Sequence, residues 1–146
     1  MLKLSNRVIY GIKALYELAR EHGGEPLPIR EISDRHDLPI PFLEQVLHRL
    51  KQAGIVESRR GINVGYTRAH SPETITIGDA WRALEGPIAL CECLLKDTAE
   101  SAGRARACVT SNIYRRIGGE IEKAFDSKTI RDLASEDQKQ TRAGKC

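Results

Sequence analysis

Residues 41–66, PFLEQVLHRLKQAGIVESRRGINVGY, decide the fold. The first half places apolar side chains at helical spacing with polar ones between them, which predicts an amphipathic helix with one buried face. Gly54 suits the left-handed position that commonly follows a helix end. Short strands are predicted at 55–58 and 64–67, and the basic turn at 59–63 joins them. Helix, strand, basic turn and strand in this order predict a winged helix-turn-helix, with its helix in the DNA major groove and its wing on a flanking groove or on phosphates.

The polar face of this helix and the wing carry the residues predicted to contact double-stranded DNA. Glu44 and Gln45 lie near the exposed start of the helix, where side chains can reach base edges. A glutamate can accept a hydrogen bond from cytosine and a glutamine can pair with adenine. The complete predicted set is Pro41, Glu44, Gln45, His48, Arg49, Arg59, Arg60, Asn63 and Tyr66.

Charge supports DNA binding locally rather than across the whole chain. The formal net charge is only +3 over 146 residues, which is a weak indication of a nucleic-acid partner. Between His48 and His70, however, five cations share the segment with the single acid Glu57; they are Arg49, Lys51, Arg59, Arg60 and Arg68. Such a concentration is typical of phosphate binding. A charged segment alone is more often a solvated surface, so the prediction depends on the order of the elements.

Composition restricts the other classes of function. The chain has no long apolar run and no signal-peptide pattern at its N-terminus, so we expect a cytoplasmic protein with no membrane partner. Four cysteines in such a chain indicate metal or redox chemistry rather than a disulfide framework. The sequence holds no C-x-x-C motif, no nucleophile–base pairing and no phosphate-binding glycine loop, so we expect no enzyme. A winged-helix module that binds protein remains an alternative. It would need an apolar exposed face on the helix predicted in the first half of residues 41–66, which we call the reading helix.

Helices are also predicted on both sides of the central stretch. One covers residues 4–19, capped by Ser5, with Glu17 on its wet side; a second covers residues 28–36, and His36 is interpreted as a surface residue or a phosphate contact. Thr76 is predicted to cap a helix whose Trp81 packs into the core. The pattern after residue 134 is polar and predicts a disordered tail at 135–146.

A long amphipathic helix is predicted after residue 108. Its apolar stripe recurs every four residues and consists of Val109, Ile113, Ile117, Ile121 and Phe125. The winged domain already has enough helices to close its core, so this stripe needs another partner, and a second copy of the chain is the economical one. The sequence therefore predicts a homodimer, and a short final helix at residues 129–133.

The chain resembles the Rrf-type winged-helix regulators, whose members include iron–sulfur, nitric-oxide-sensing and cysteine-metabolism regulators. The residues that carry the resemblance are Leu43-Glu44-Gln45, Leu50, Ala53-Gly54, Val56, Ser58, Arg60-Gly61 and Gly65-Tyr66. The chain departs from the family pattern at Val64, where a second glycine is usual, and at Arg68, where an apolar residue is usual. The resemblance implies a dimeric transcriptional regulator of operator DNA that acts as a repressor.

The resemblance also implies an effector loop with cysteine ligands for an iron–sulfur cluster. Cys93 and Cys108 match the family's first and third cysteines, the second is absent, and Cys91 is an additional thiol. Thiolates are the ligands that cluster iron takes, so the predicted metal set is Cys91, Cys93 and Cys108, with a [2Fe–2S] cluster favoured. The candidates for a fourth ligand are Cys146, Glu92, Asp97, His70 or a side chain of the partner subunit. The alternatives are a metal-free thiol–disulfide switch and ordinary buried cysteines.

The predicted fold is therefore mainly α with a small β wing. It divides into a winged helix-turn-helix domain at 1–86, a cysteine-containing effector loop at 87–108, a dimerisation helix with a short terminal helix at 109–134, and the tail. The predicted function is DNA-binding regulation that responds to iron–sulfur status, oxidation or nitric oxide.

Overall fold

The computed structural model describes residues 3–20, 24–62, 64–91, 94–95 and 109–143, with the side chains described through residue 139. These residues form six helices and a two-stranded sheet, which confirms the predicted mainly α class with a β wing. The elements are α1 (Asn6–Arg20), α2 (Ile29–His36), α3 (Ile40–Gln52), β1 (Val56–Arg59), β2 (Gly65–Arg68), α4 (Ile77–Glu85), α5 (Ser111–Asp126) and α6 (Ile130–Ala143). No helix in the described part of the chain is long and apolar enough to cross a membrane.

The core of the winged domain lies where α1, α3 and α4 meet. Each helix buries its apolar stripe there, and the largest buried side chains include Leu15, Leu18, Leu43, Leu47, Leu50 and Leu84. Ser5 caps α1 as the sequence predicts, because its Oγ accepts the Val8 N–H at 3.3 Å. The apolar spacing read from the sequence therefore gives the buried face of α3 and most of that of α1, where Glu17 is buried as well.

The turn between α2 and α3 is closed by local backbone geometry. Asp37 takes the left-handed conformation, with φ of 51°, and the Leu38 N–H donates to the Ser33 carbonyl at 3.1 Å. Pro39 then precedes α3 in an extended conformation, which starts the helix in a new direction. At the other end of α3, Gly54 has φ of 74°, as its predicted role in ending the helix requires.

The wing is the antiparallel pair of β1 and β2, in which Ser58 faces Tyr66 and Arg59 faces Gly65. Leu27, from the segment before α2, adds to the outer edge of β2 by exchanging backbone hydrogen bonds of 2.9 Å with Tyr66. A Cβ at Gly65 would lie 2.7 Å from the Leu27 carbonyl carbon and oxygen. Only glycine therefore permits this approach, and that gives a physical reason for the Gly65-Tyr66 motif.

Helices α4 and α5 run antiparallel and are joined by charge and by aromatic stacking. Arg82 of α4 donates to Glu122 at 2.9 Å and to Asp126 at 2.6 Å on α5. Trp81 is half-buried against the core, and its ring stacks on Phe125 with centroids 5.4 Å apart. These contacts fix the C-terminal end of α5 against the middle and last turn of α4.

The predicted disordered tail is wrong for residues 135–143, which continue α6. The helix starts with a reciprocal cap, in which the Asp132 N–H donates to Thr129 Oγ1 at 3.2 Å and the Thr129 N–H donates to the Asp132 carboxylate at 2.9 Å. Ile130 is fully buried, and the Tyr16 hydroxyl of α1 donates to Asp137 at 2.6 Å. The polar composition therefore gave no indication of α6, which contacts with α1 stabilise.

Candidate nucleic-acid interface and cysteine loop

The exposed face of α3 gathers five of the predicted DNA contacts. Pro41, Glu44, Gln45, His48 and Arg49 are all exposed, and their spacing of three and four residues places them on one side of the helix. The opposite side is buried in the core. The result is a continuous polar surface more than two turns long, with no large apolar side chain on it.

The wing carries three of the remaining predicted contacts within the described residues. Arg59 and Arg60 are exposed, while Tyr66 is half-buried and has both its backbone groups paired with Leu27. Asn63 lies outside the described residues. The Lys51 ammonium of α3 donates to the Ser58 hydroxyl of β1 at 2.6 Å, so the wing is tied to the end of α3.

A buried charge cluster under the helix-turn-helix differs from the sequence prediction. Glu17 of α1, predicted to face water, has a side chain only 2% exposed. Its carboxylate accepts from Arg35 of α2 at 2.6 Å and lies 2.8 Å from His36 Nε2. The Arg20 guanidinium lies 3.5 Å away. His36 therefore points inward to a carboxylate, and its interpretation as a surface residue or phosphate contact is wrong.

The cluster keeps Glu17 ionised inside the fold. Burial by itself would raise the pKa of this carboxyl group, because it disfavours the charged form. The hydrogen bonds from Arg35 and His36, with the charge of Arg20, outweigh burial and hold the Glu17 pKa below its ordinary value. The cluster therefore joins α1 to α2 through an ion pair at neutral pH. One feature of the sequence could have indicated this cluster. Glu17 lies between Tyr16 and Leu18 of the apolar stripe of α1, and Arg20, Arg35 and His36 are available to it as partners.

Arg68, a departure from the family pattern, has a structural role within the chain. Its guanidinium donates to the Leu18 carbonyl at 3.2 Å, near the C-terminal end of α1. A cation there satisfies a carbonyl and complements the helix dipole. Arg68 is thus oriented toward α1 as well as being part of the basic segment.

The predicted dimer stripe is exposed along most of α5. Val109, just before α5, is fully exposed, and residues Ile113 and Ile117 are 57% and 48% exposed. Ile121 is half-buried. Phe125, predicted to belong to the stripe, instead stacks on Trp81 of the same chain. The apolar surface therefore extends from Val109, just before α5, to Ile121.

The structure describes one of the three predicted cysteine ligands. Cys91 is half-buried, and its carbonyl accepts the Leu94 N–H at 3.1 Å. The residue before it lies near α5, since a Cβ at Gly118 would be 4.0 Å from Leu90 Cγ. Cys93 and Cys108 lie outside the described residues. His70, a candidate fourth ligand, is exposed in a hollow lined by Ala53, Asp79 and Arg82.

The cysteine side chains of this loop are of the type that binds an iron–sulfur cluster. Cys91, Cys93 and Cys108 would supply three thiolates, and thiolates are the ligands of such clusters. Among the side chains that the structure describes, no three of the His, Cys, Asp and Glu type come together as a metal site. Of the three thiols, only that of Cys91 belongs to the described side chains.

Comparison with known proteins gives one family and a consistent set of relatives. The model of the Rrf2 family, described as an iron-dependent transcriptional regulator, matches residues 4–136. The HTH-type transcriptional regulator CymR of Bacillus subtilis is 37% identical over 134 residues, covering 92% of this chain and 91% of that protein. The regulator IscR of Vibrio vulnificus is 27% identical over 137 residues, covering 94% of this chain and 80% of that protein.

Solved structures of the same kinds of regulator have a similar fold. The structure of CymR, the global cysteine regulator of B. subtilis, matches with a TM-score of 0.74 at 37% identity, over 93% of this chain and 98% of that chain. That of T. potens IscR also matches with a TM-score of 0.74, at 33% identity, over 93% of this chain and 88% of that chain. An oxidised form of Staphylococcus aureus CymR matches with a TM-score of 0.68 at 27% identity, over 91% of this chain and 96% of that chain.

Proposed function

Because the chain belongs to the Rrf2 family of transcriptional regulators, we propose that it binds operator DNA as a homodimer and represses the genes beside those operators. The chain is a regulator rather than an enzyme, as its sequence predicts. The observation that carries the proposed DNA contact is the exposed polar face of α3, opposite a fully apolar buried face. Its work on chromosomal DNA would take place in the cytoplasm.

Recognition combines a reading helix with phosphate contacts. Glu44 and Gln45, at the start of α3, reach base edges in the major groove, where cytosine offers a donor and adenine offers a donor and an acceptor. Arg49, Arg59 and Arg60 neutralise phosphates, which gives affinity that falls as salt is added. The absence of a large apolar side chain on the exposed face of α3 counts against the protein-binding alternative.

Two copies of α5 would hold two reading helices at a fixed spacing. The exposed stripe from Val109 to Ile121 presents aliphatic side chains to water, and burying them against a second copy removes that surface from solvent. A two-fold dimer then matches an operator with two half-sites. Arg82, bound to Glu122 and Asp126, transmits the position of α5 to the winged domain.

The cysteine loop would change this geometry. It connects the C-terminal end of α4 to the start of α5, while Arg82, in the last turn of α4, is bound to Glu122 and Asp126 near the far end of α5. A link between Cys91 and Cys108 would therefore act on the start of α5, the end of that helix that Arg82 does not hold. A [2Fe–2S] cluster on Cys91, Cys93 and Cys108 would supply a link that oxidants, nitric oxide or iron shortage remove. The response needs only a difference in free energy between two dimer geometries.

A metal-free thiol switch is the second candidate for sensing. It is supported by the B. subtilis relative, which is described as a global cysteine regulator, and by the oxidised form of the S. aureus relative. In this chain, a disulfide from Cys108 to Cys91 or Cys93 would release two protons and two electrons to an oxidant. Both candidates use the same thiols and the same loop.

Selection from genomic fragments tests DNA binding. We expect the full-length protein to enrich a palindromic site and to bind it as a dimer, with an affinity that falls steeply with salt. Nonspecific binding of equal strength to all fragments would contradict the proposal.

Serine substitution of each cysteine, with protein purified without oxygen, separates the sensing candidates. Iron, sulfide and operator affinity would be measured before and after an oxidant. A cluster predicts iron and visible absorbance that are lost on replacing Cys91, Cys93 or Cys108, with Cys146→Ser as the matched control. Iron-free protein that still responds, with a Cys108 disulfide detected by mass spectrometry, would favour the thiol switch. A response lost only in Cys146→Ser would refute the ligand set.

A further inference from the structure

The tip of the wing exposes two aliphatic side chains, and neither packs into the hydrophobic core. Ile62 is fully exposed, at 105% of its reference surface, and Val64 is 62% exposed. Both belong to the connection between β1 and β2, close in sequence to the exposed residues Arg59 and Arg60. The described chain contains a second strongly exposed aliphatic surface on α5, and the dimer would bury that one.

We propose that Ile62, supported by Val64, is an apolar wedge that enters the DNA minor groove beside the bases that α3 reads. This inference rests on the proposed function and adds a specificity-determining contact to it. Proteins that bend DNA from the minor groove place aliphatic side chains against base steps and cations against the adjacent phosphates. Ile62 and Val64, next to Arg59 and Arg60, have this combination of side chains.

Charge and attachment favour DNA as the occupant of this surface. Two guanidinium groups beside the aliphatic pair complement the negative potential of a narrow minor groove. The wing is also held to the reading helix, since Lys51 of α3 donates to Ser58 of β1 at 2.6 Å. On its other edge, Leu27 pairs with Tyr66 through two backbone hydrogen bonds. A hairpin held on both sides in this way can insert its tip into the minor groove while α3 lies in the adjacent major groove.

The wedge would give specificity without a hydrogen bond to a base. Opening a base step costs least at flexible pyrimidine–purine steps, so operators with such a step under the wing would bind more tightly. The apolar contact also differs from a phosphate contact in its response to salt. Removing Ile62 lowers affinity without changing the number of counterions released, whereas removing Arg60 lowers that number.

Operator affinity as a function of salt, with the DNA bend measured by energy transfer, tests the wedge in the full-length protein. We expect Ile62→Ser to lose about tenfold in affinity at every salt concentration, since a buried isoleucine contributes on that order, and to bend the operator less. Ile62→Leu, the matched control, should retain both affinity and bend. Arg60→Ala should flatten the salt slope by about one. Replacing the flexible step under the wing should weaken the wild type more than Ile62→Ser.

The outcomes separate the wedge from the proposed function. If the wild type selects an operator but Ile62→Ser binds and bends it equally well, the wedge is refuted and the regulator remains. If the wild type selects no operator, the proposed function fails first. Binding of the wild type to phosphatidylglycerol vesicles that Ile62→Ser loses, with DNA affinity unchanged, would overturn the wedge in favour of a membrane contact.

Discussion

The buried Glu17 cluster allows a quantitative test of what holds the helix-turn-helix together. Replacing Glu17 with Gln keeps the size of the side chain but removes the charge that faces Arg35 at 2.6 Å and His36 at 2.8 Å. A hydrogen bond to a charged group contributes about 1.5–3 kcal/mol. Arg35 and His36 retain partial exposure, so water can replace part of the lost interaction. We therefore expect the free energy of unfolding to fall by about 2–3 kcal/mol in total.

Thermal unfolding at fixed protein concentration measures this loss. For a chain of this size, the expected fall in Tm is about 4–12 °C. Glu31→Gln is the matched control, because Glu31 pairs with the same Arg35 at 3.1 Å but is half exposed. An exposed pair contributes about 1 kcal/mol or less. Equal effects of the two substitutions would show that burial of Glu17 does not matter, and would refute the reasoning.

The pH dependence of stability gives an independent check on Glu17. Its pKa in the folded state lies below the ordinary value of 4.5, so the unfolded chain takes up the proton first as the pH falls. The stabilisation is therefore complete above the ordinary value and disappears as the pH falls through the folded-state pKa. The Tm difference between the wild type and Glu17→Gln should shrink over that acidic window. A difference that stays constant would contradict the ion-pair account.

Two further predictions concern α5, the helix of the proposed dimer interface. A Cβ at Gly78 would lie 1.9 Å from the Asp126 carboxylate, so Gly78→Ala should push that group off Arg82 and cost about 1–3 kcal/mol in thermal unfolding. Gly119→Ala, which meets nothing within 4 Å, should be neutral or stabilising; a stability loss in both variants would contradict this contact. Ile117→Glu would bury a charge without a partner in the dimer, so sedimentation should show monomers that lose specific operator binding. A monomeric wild type would refute the proposed dimer.

Periodicity predicted the winged domain because its elements bury whole apolar faces. The stripe of α3 and the glycine at its end are visible in the sequence, and the short basic hairpin follows directly. The same pattern placed polar side chains on the outer face of α3. These features are local, so no long-range contact had to be known.

The features that the sequence did not predict depend on contacts between residues that are far apart in the chain. A carboxylate on α1 predicts exposure until Arg35 and His36 of α2 are brought against it. Phe125 continues the period of the α5 stripe, but it turns to Trp81 because α4 packs alongside. The polar sequence after residue 134 predicts disorder, although its cap and the bond between Tyr16 and Asp137 order it. In each case a tertiary contact outweighs a local preference.

The central claim is that the start of α3 reads operator sequence, and one binding measurement tests it most directly. Operator affinity would be compared for Gln45→Ala and Gln52→Ala, on the selected site and on a set with each base pair replaced. Both glutamines are exposed, but Gln52 lies at the far end of α3. We expect Gln45→Ala to cost about 1–3 kcal/mol and to lose discrimination at one base pair, while Gln52→Ala keeps wild-type specificity. Unchanged discrimination in Gln45→Ala would contradict the claim.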